Sequence, residues 1–114
     1  MSQTAMDAAA FAEMKELMGD TFKDIIQMSL QSLPQQLDGI KTAIENKNVE
    51  NLFNISHKMK GSCGSIGAFG LAEKAETIET IGRKGSTDVS DKIFNELRDA
   101  TNQVISILNA ELDD

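Results

Sequence analysis

His57 is the lone histidine of a 114-residue chain, and Lys60, Gly61, Gly64 and Ser65 follow it closely. Imidazole changes charge near neutral pH, which suits it to act as a nucleophile, a proton carrier or a metal ligand. The metal role is poorly supported, because no second histidine, paired cysteine or ligand spacing accompanies His57. Cys63 is the one cysteine, which excludes an internal disulfide. The two glycines beyond the histidine each cost about 1 kcal/mol relative to alanine in a helix interior. Nothing in an isolated helix asks for them. Their use would be to let another surface approach the ring at backbone distance. A plainer reading competes: a boundary histidine, glycines that ease helix packing, and a solvated lysine.

Helices must position these residues, since helix-period patterns run along almost the whole chain. Met6, Ala9, Ala10, Met14, Leu17 and Met18 form a short amphipathic stretch that Gly19 can end. Asp20 is placed to cap a long segment striped by Phe22, Ile26, Leu30, Leu33, Leu37, Ile40 and Ile44, some seven turns in length. Pro34 interrupts it and should bend it. The third segment carries Val49, Leu52, Phe53, Ile55, Ser56, Met59, Cys63 and Ile66, and stops near Gly67. The fourth uses Ala68, Leu71, Ala75, Ile78, Ile81 and Gly82 and ends at Gly85, with Arg83 and Lys84 at its negative end. Ser86, Thr87 and Asp88 read as the cap of a fifth, striped by Val89, Ile93, Leu97, Val104 and Leu108. Short connections make sequential helices antiparallel neighbours. The expected fold is all-α: an up-down-up-down four-helix bundle over about residues 20–112, with a short capping helix over about residues 5–18, in a single domain.

On the third helix, with Val49 set at 0° and about 100° per residue, the apolar arc centres near 300°. His57 then falls at about 80°, beside the arc but outside it, with Lys60 at about 20°, Gly64 at about 60° and Gly61 at about 120°. Cys63 lies inside the arc and reads as a packed thiol. Glu79 sits about 60° from the centre of the fourth helix's stripe, the same marginal placement as His57.

Composition bounds the function. For 12.4 kDa, area scaling predicts about 6,100 Å² exposed when folded against about 18,000 Å² unfolded, enough burial for a core without staples. Eleven Lys and Arg against 18 Asp and Glu give a net charge of −7, the wrong sign for general nucleic-acid binding. No leader or long apolar run is present, so a cytoplasmic protein off the membrane is expected.

The segment from His57 to Ala68, His-Lys-Met-Lys-Gly-Ser-Cys-Gly-Ser-Ile-Gly-Ala, resembles the signature of the histidine-containing phosphotransfer (HPt) domain family. That pattern is His, any residue, an aliphatic residue, Lys-Gly and a small residue, then an aliphatic-Gly pair. Met59, Lys60, Gly61, Ser62 and Ile66-Gly67 fill those positions. The family often carries Gln or Glu 22 positions after the histidine, here Glu79, and some members a Gly-Arg pair, here Gly82-Arg83.

The resemblance implies a phosphorelay intermediate, in which His57 accepts a phosphoryl group from an aspartyl phosphate on the receiver domain of a hybrid histidine kinase. It then passes the group to the aspartate of a response regulator. The same resemblance gives Lys60 charge stabilisation, Glu79 orientation of the imidazole, and Arg83 a phosphoryl or partner contact. Gly61, Gly64 and Ser65 become the partner-binding strip. It implies no cofactor of the protein's own, with Mg²⁺ on the receiver, and a free-standing monomeric carrier without independent turnover. The alternatives are a helical docking module that carries no phosphate and, more remotely, a helical metal or small-ligand binder.

Overall fold

The computed structural model describes residues 5–113. Five helices follow in order: α1 Ala8–Met18, α2 Thr21–Glu45, α3 Val49–Gly64, α4 Phe69–Arg83 and α5 Asp91–Leu112. Among the described residues there is no strand, and no helix is long and apolar enough to cross a membrane. Helix α3 packs on α2 and α4, and α5 packs on the same two, so the four long helices close a ring around one core. The expected all-helical antiparallel bundle is the fold observed.

The core follows the stripes. Phe22, Ile26, Leu33 and Ile40 of α2 meet Leu52, Met59 and Cys63 of α3, Leu71, Ala75 and Ile78 of α4, and Leu97, Val104 and Leu108 of α5, all buried. At roughly 1.5–3 kcal/mol for each large side chain, this burial is the main force holding the helices in register. Helix α2 runs unbroken through Pro34, whose ring is exposed, so the donor it lacks is missing on the solvent side.

Helix α1 lies across one end of the bundle. The Asp7 carboxylate caps it by accepting from the Ala10 N–H at 2.9 Å. The Asp7 N–H donates to the Gly67 carbonyl at 2.9 Å, and the Leu71 N–H donates to the Ala5 carbonyl at 3.2 Å. Lys15 pairs with Glu111 near the end of α5. The anchoring side chain of α1 is Phe11, buried with its ring 5.1 Å from that of Phe22, rather than Leu17, which is 79% exposed. A helix that crosses the end of a bundle buries whatever meets the neighbouring rings, and that need not be its best-spaced stripe.

Two expected caps are displaced. Asp20 has helical dihedrals and no side-chain capping bond. Instead Gly19, at φ +57°, turns the chain, and the Thr21 hydroxyl donates to the Met18 carbonyl at 2.8 Å. Helix α5 is capped by Ser90, whose hydroxyl oxygen accepts from the Ile93 N–H at 3.1 Å, and not by the Ser86–Asp88 run. Ser86 accepts from the Asp88 N–H at 2.9 Å and so makes a local turn. Val89 therefore packs against the core from a loop.

Candidate functional site

Helices α3 and α4 approach each other closely where Gly82 faces Phe53. A Cβ at residue 82 would stand 3.0 Å from the Phe53 nitrogen and 3.1 Å from its Cα. Only glycine permits that spacing. One turn along each helix, in opposite chain directions, lie His57 and Glu79.

Glu79 is completely buried, while the His57 side chain is 60% exposed. The carboxylate faces three cationic or ring groups. The His57 Nδ1 lies 2.5 Å from Oε2, the Lys60 ammonium donates to Oε1 at 2.7 Å, and the Arg83 guanidinium lies 3.5 Å from Oε2. Burial opposes the charge on Glu79. Hydrogen bonds from Lys60 and His57, with the positive fields of Lys60 and Arg83, outweigh it and hold the carboxyl below the usual carboxylate range. A charged carboxylate can only accept, so Nδ1 of the neutral ring carries the proton and Nε2 has the free lone pair. Among the described residues Nε2 has no hydrogen-bond partner. The periodicity placed Glu79 at the stripe's margin; the structure puts it fully inside.

The remaining expected residues divide by surroundings. Beside Gly61 and Gly64 a Cβ would meet nothing within 4 Å, so both face open space. Ser65 is exposed, its hydroxyl donating to the Ser62 carbonyl at 2.8 Å. Lys60 joins the His57–Glu79 pair directly. Arg83 also contacts Phe53, its guanidinium 5.8 Å from the ring centroid. Cys63 is buried among apolar side chains, and burial pushes its thiol up to about 12, so it is inert at neutral pH.

Two neighbours escaped the sequence reading. Phe53 stacks on His57, with centroids 5.8 Å apart and planes 13° from parallel. Its spacing of one helical turn before the histidine was the available signal. Gln36 of α2 donates to the Ser62 hydroxyl at 3.4 Å, and it lay outside every stripe considered. A groove of 530 Å³ is lined wholly by α2 and α5, including Pro34, Leu37, Phe94 and Ile105, and so is built by other helices than the histidine's. Among the described residues no three His, Cys, Asp or Glu side chains gather to hold a metal ion.

The site is thus an exposed imidazole on a helical bundle, held at one nitrogen by a buried carboxylate and bordered by bare helix. The family model of the Hpt domain matches residues 24–107, and the chain belongs to that family. Its fold is similar to that of histidine-containing phosphotransfer protein B from Pseudomonas aeruginosa PAO1, at a TM-score of 0.87 and 19% identity over 96% of each chain. It is also similar to the HPT domain of an Hpt sensor hybrid histidine kinase from Shewanella. There the TM-score is 0.79 and the identity 17%, over 96% of this chain and 95% of the other. A search of curated proteins finds no match.

Proposed function

We propose that this protein is a phosphoryl carrier in a two-component phosphorelay, taking the group onto His57 from an aspartyl phosphate of a receiver domain in a hybrid histidine kinase. It then gives the group to the aspartate of a response regulator. The observation that carries this reading is the pairing of an exposed ring with a buried, charged Glu79 at its Nδ1.

The chemistry follows from that pair. The Nε2 lone pair attacks phosphorus, the bond from phosphorus to the aspartyl oxygen breaks, and the carboxylate leaves with its electron pair. No proton has to be removed from the nucleophile. The phosphorylated ring is a cation still bearing its Nδ1–H, and the Glu79 carboxylate 2.5 Å from Nδ1 stabilises it. Return of the phosphoryl group to an aspartate regenerates the neutral ring. Catalysis of phosphoryl transfer rests on positioning and on neutralising charge at the equatorial oxygens. Lys60, one turn from His57, supplies a nearby positive charge, and Mg²⁺ held by the receiver would supply the rest. Gly61, Gly64 and Ser65 form the strip on which the receiver settles, and the protein works as a monomer in the cytoplasm.

The direct test uses a receiver domain carrying labelled aspartyl phosphate. The wild-type chain is expected to gain acid-labile label, and His57→Gln to gain none while keeping its helical circular dichroism. Label on the His57→Gln variant would overturn the assignment.

A further inference from the structure

The bond to Glu79 fixes where one ring nitrogen sits, but a single hydrogen bond leaves the ring free to tilt about it. An exposed side chain otherwise changes rotamer on the picosecond to nanosecond scale. A second contact removes that freedom. Phe53 lies nearly parallel to the imidazole at a centroid distance of 5.8 Å, inside the range of offset stacking. Phe53 is itself held twice. Its backbone is pressed against Gly82 of α4, and the Arg83 guanidinium lies over its ring at 5.8 Å. Arg83 in turn lies 3.5 Å from the same Glu79 oxygen that faces His57. The contacts form a closed circuit from His57 to Glu79, to Arg83, to Phe53 and back to His57.

We infer that Phe53 is a positioning residue, which with Glu79 sets the plane of the imidazole so that Nε2 is presented in one orientation. Arg83 serves the same end by bracing Phe53 and Glu79. This rests on the proposed role of His57 as phosphoryl acceptor. In-line attack on phosphorus tolerates little error, since a displacement of about 1 Å can cost on the order of a hundredfold in rate. A ring free to tilt would spend much of its time outside the productive cone.

The test compares the full-length wild type with Phe53→Leu, which keeps apolar bulk without a ring, and Phe53→Tyr, which restores the ring. The first measurement is the nitrogen-15 spectrum of the His57 ring at a pH where it is neutral. All three should show the Nδ1–H tautomer that Glu79 imposes, and carbon-13 relaxation of the ring C–H bonds should give order parameters that fall in Phe53→Leu and stay near the wild type in Phe53→Tyr. The second is the single-turnover rate with phosphoramidate, a small donor that transfers its phosphoryl group and releases ammonia, so that no partner is needed. Phe53→Leu should slow roughly tenfold, with Phe53→Tyr near the wild type. Wild-type ring order parameters in Phe53→Leu, with its helical signal intact, would overturn the inference whatever the rate. Failure of the wild type to take up any phosphoryl group would instead overturn the carrier reading. The ring order parameters would still decide the orienting role: lowered values in Phe53→Leu support it and unchanged ones reject it.

Discussion

In the resting molecule the Lys60 ammonium donates to Glu79 at 2.7 Å, so any help it gives an incoming anion is shared with a buried carboxylate. Its side chain stays one-third exposed, within reach of solvent and of a docked partner. Lys60→Ala is therefore expected to slow single-turnover transfer about tenfold while leaving the affinity for a receiver within about twofold, because one charge near the reacting oxygens is lost and little docking area with it. An unchanged rate in a rapid-quench experiment would remove Lys60 from the site. The same variant takes away a group that lowers the Glu79 carboxyl, which should move back up toward its ordinary range. At this scale the sequence is informative within one helix. The strip of His57, Lys60, Gly61 and Gly64 follows from residue spacing alone. The partners contributed by α4 do not, because two marginal positions meet only if the helices cross at the right height. Family resemblance is what points to Glu79, and Phe53 looks like an ordinary core residue in the sequence because its stacking depends on that crossing.

Two glycines separate what a helix needs from what a partner needs. Gly61 lies mid-helix with open space where a Cβ would be, so Gly61→Ala should raise stability by up to about 1 kcal/mol. Gly61→Gln should keep that stability yet weaken receiver binding by steric exclusion. A titration giving wild-type affinity would refute the clearance role. Gly82 behaves oppositely, since its Cβ would stand 3.0 Å from the Phe53 backbone, and backbone cannot move aside as a flexible side chain can. Gly82→Ala should push α3 and α4 apart, lower the melting temperature, and lengthen the contact between His57 and Glu79. Opposite signs in thermal melts of the two alanine variants are the expected result. The stripes identified all five helices because apolar spacing is a local property that burial then enforces. Their ends were less legible. Ser86 and Ser90 offer the same capping chemistry, and which of them starts α5 depends on how far the chain must travel after Gly85, at φ +83°.

Across the whole molecule, 18 acidic residues on a chain of net charge −7 make acid behaviour the broadest readout of its electrostatics. Most of these carboxylates sit on the outer faces of the helices, whereas Glu79 is buried among His57, Lys60 and Arg83 and held below the ordinary carboxylate range. A carboxyl that is lowered in the folded state takes up its proton first in the unfolded state. Its contribution to stability is therefore complete above the unfolded value of about 4.3, and is lost as the pH falls through the lower folded value. Glu79→Gln keeps the size of the side chain and removes its charge, leaving the other acidic residues as a shared background. At pH 7 the variant should be less stable by about 1–3 kcal/mol, the range for hydrogen bonds to charged groups, and should melt several degrees lower. As the pH falls below the unfolded value of about 4.3, the wild-type advantage should shrink and the two melting temperatures should draw together. Circular-dichroism melts of both proteins between pH 7 and pH 3 make the comparison. A gap that stayed constant down to pH 3 would mean that Glu79 supports the bundle through its shape alone, and its role in stabilising a cationic ring at His57 would lose its electrostatic basis.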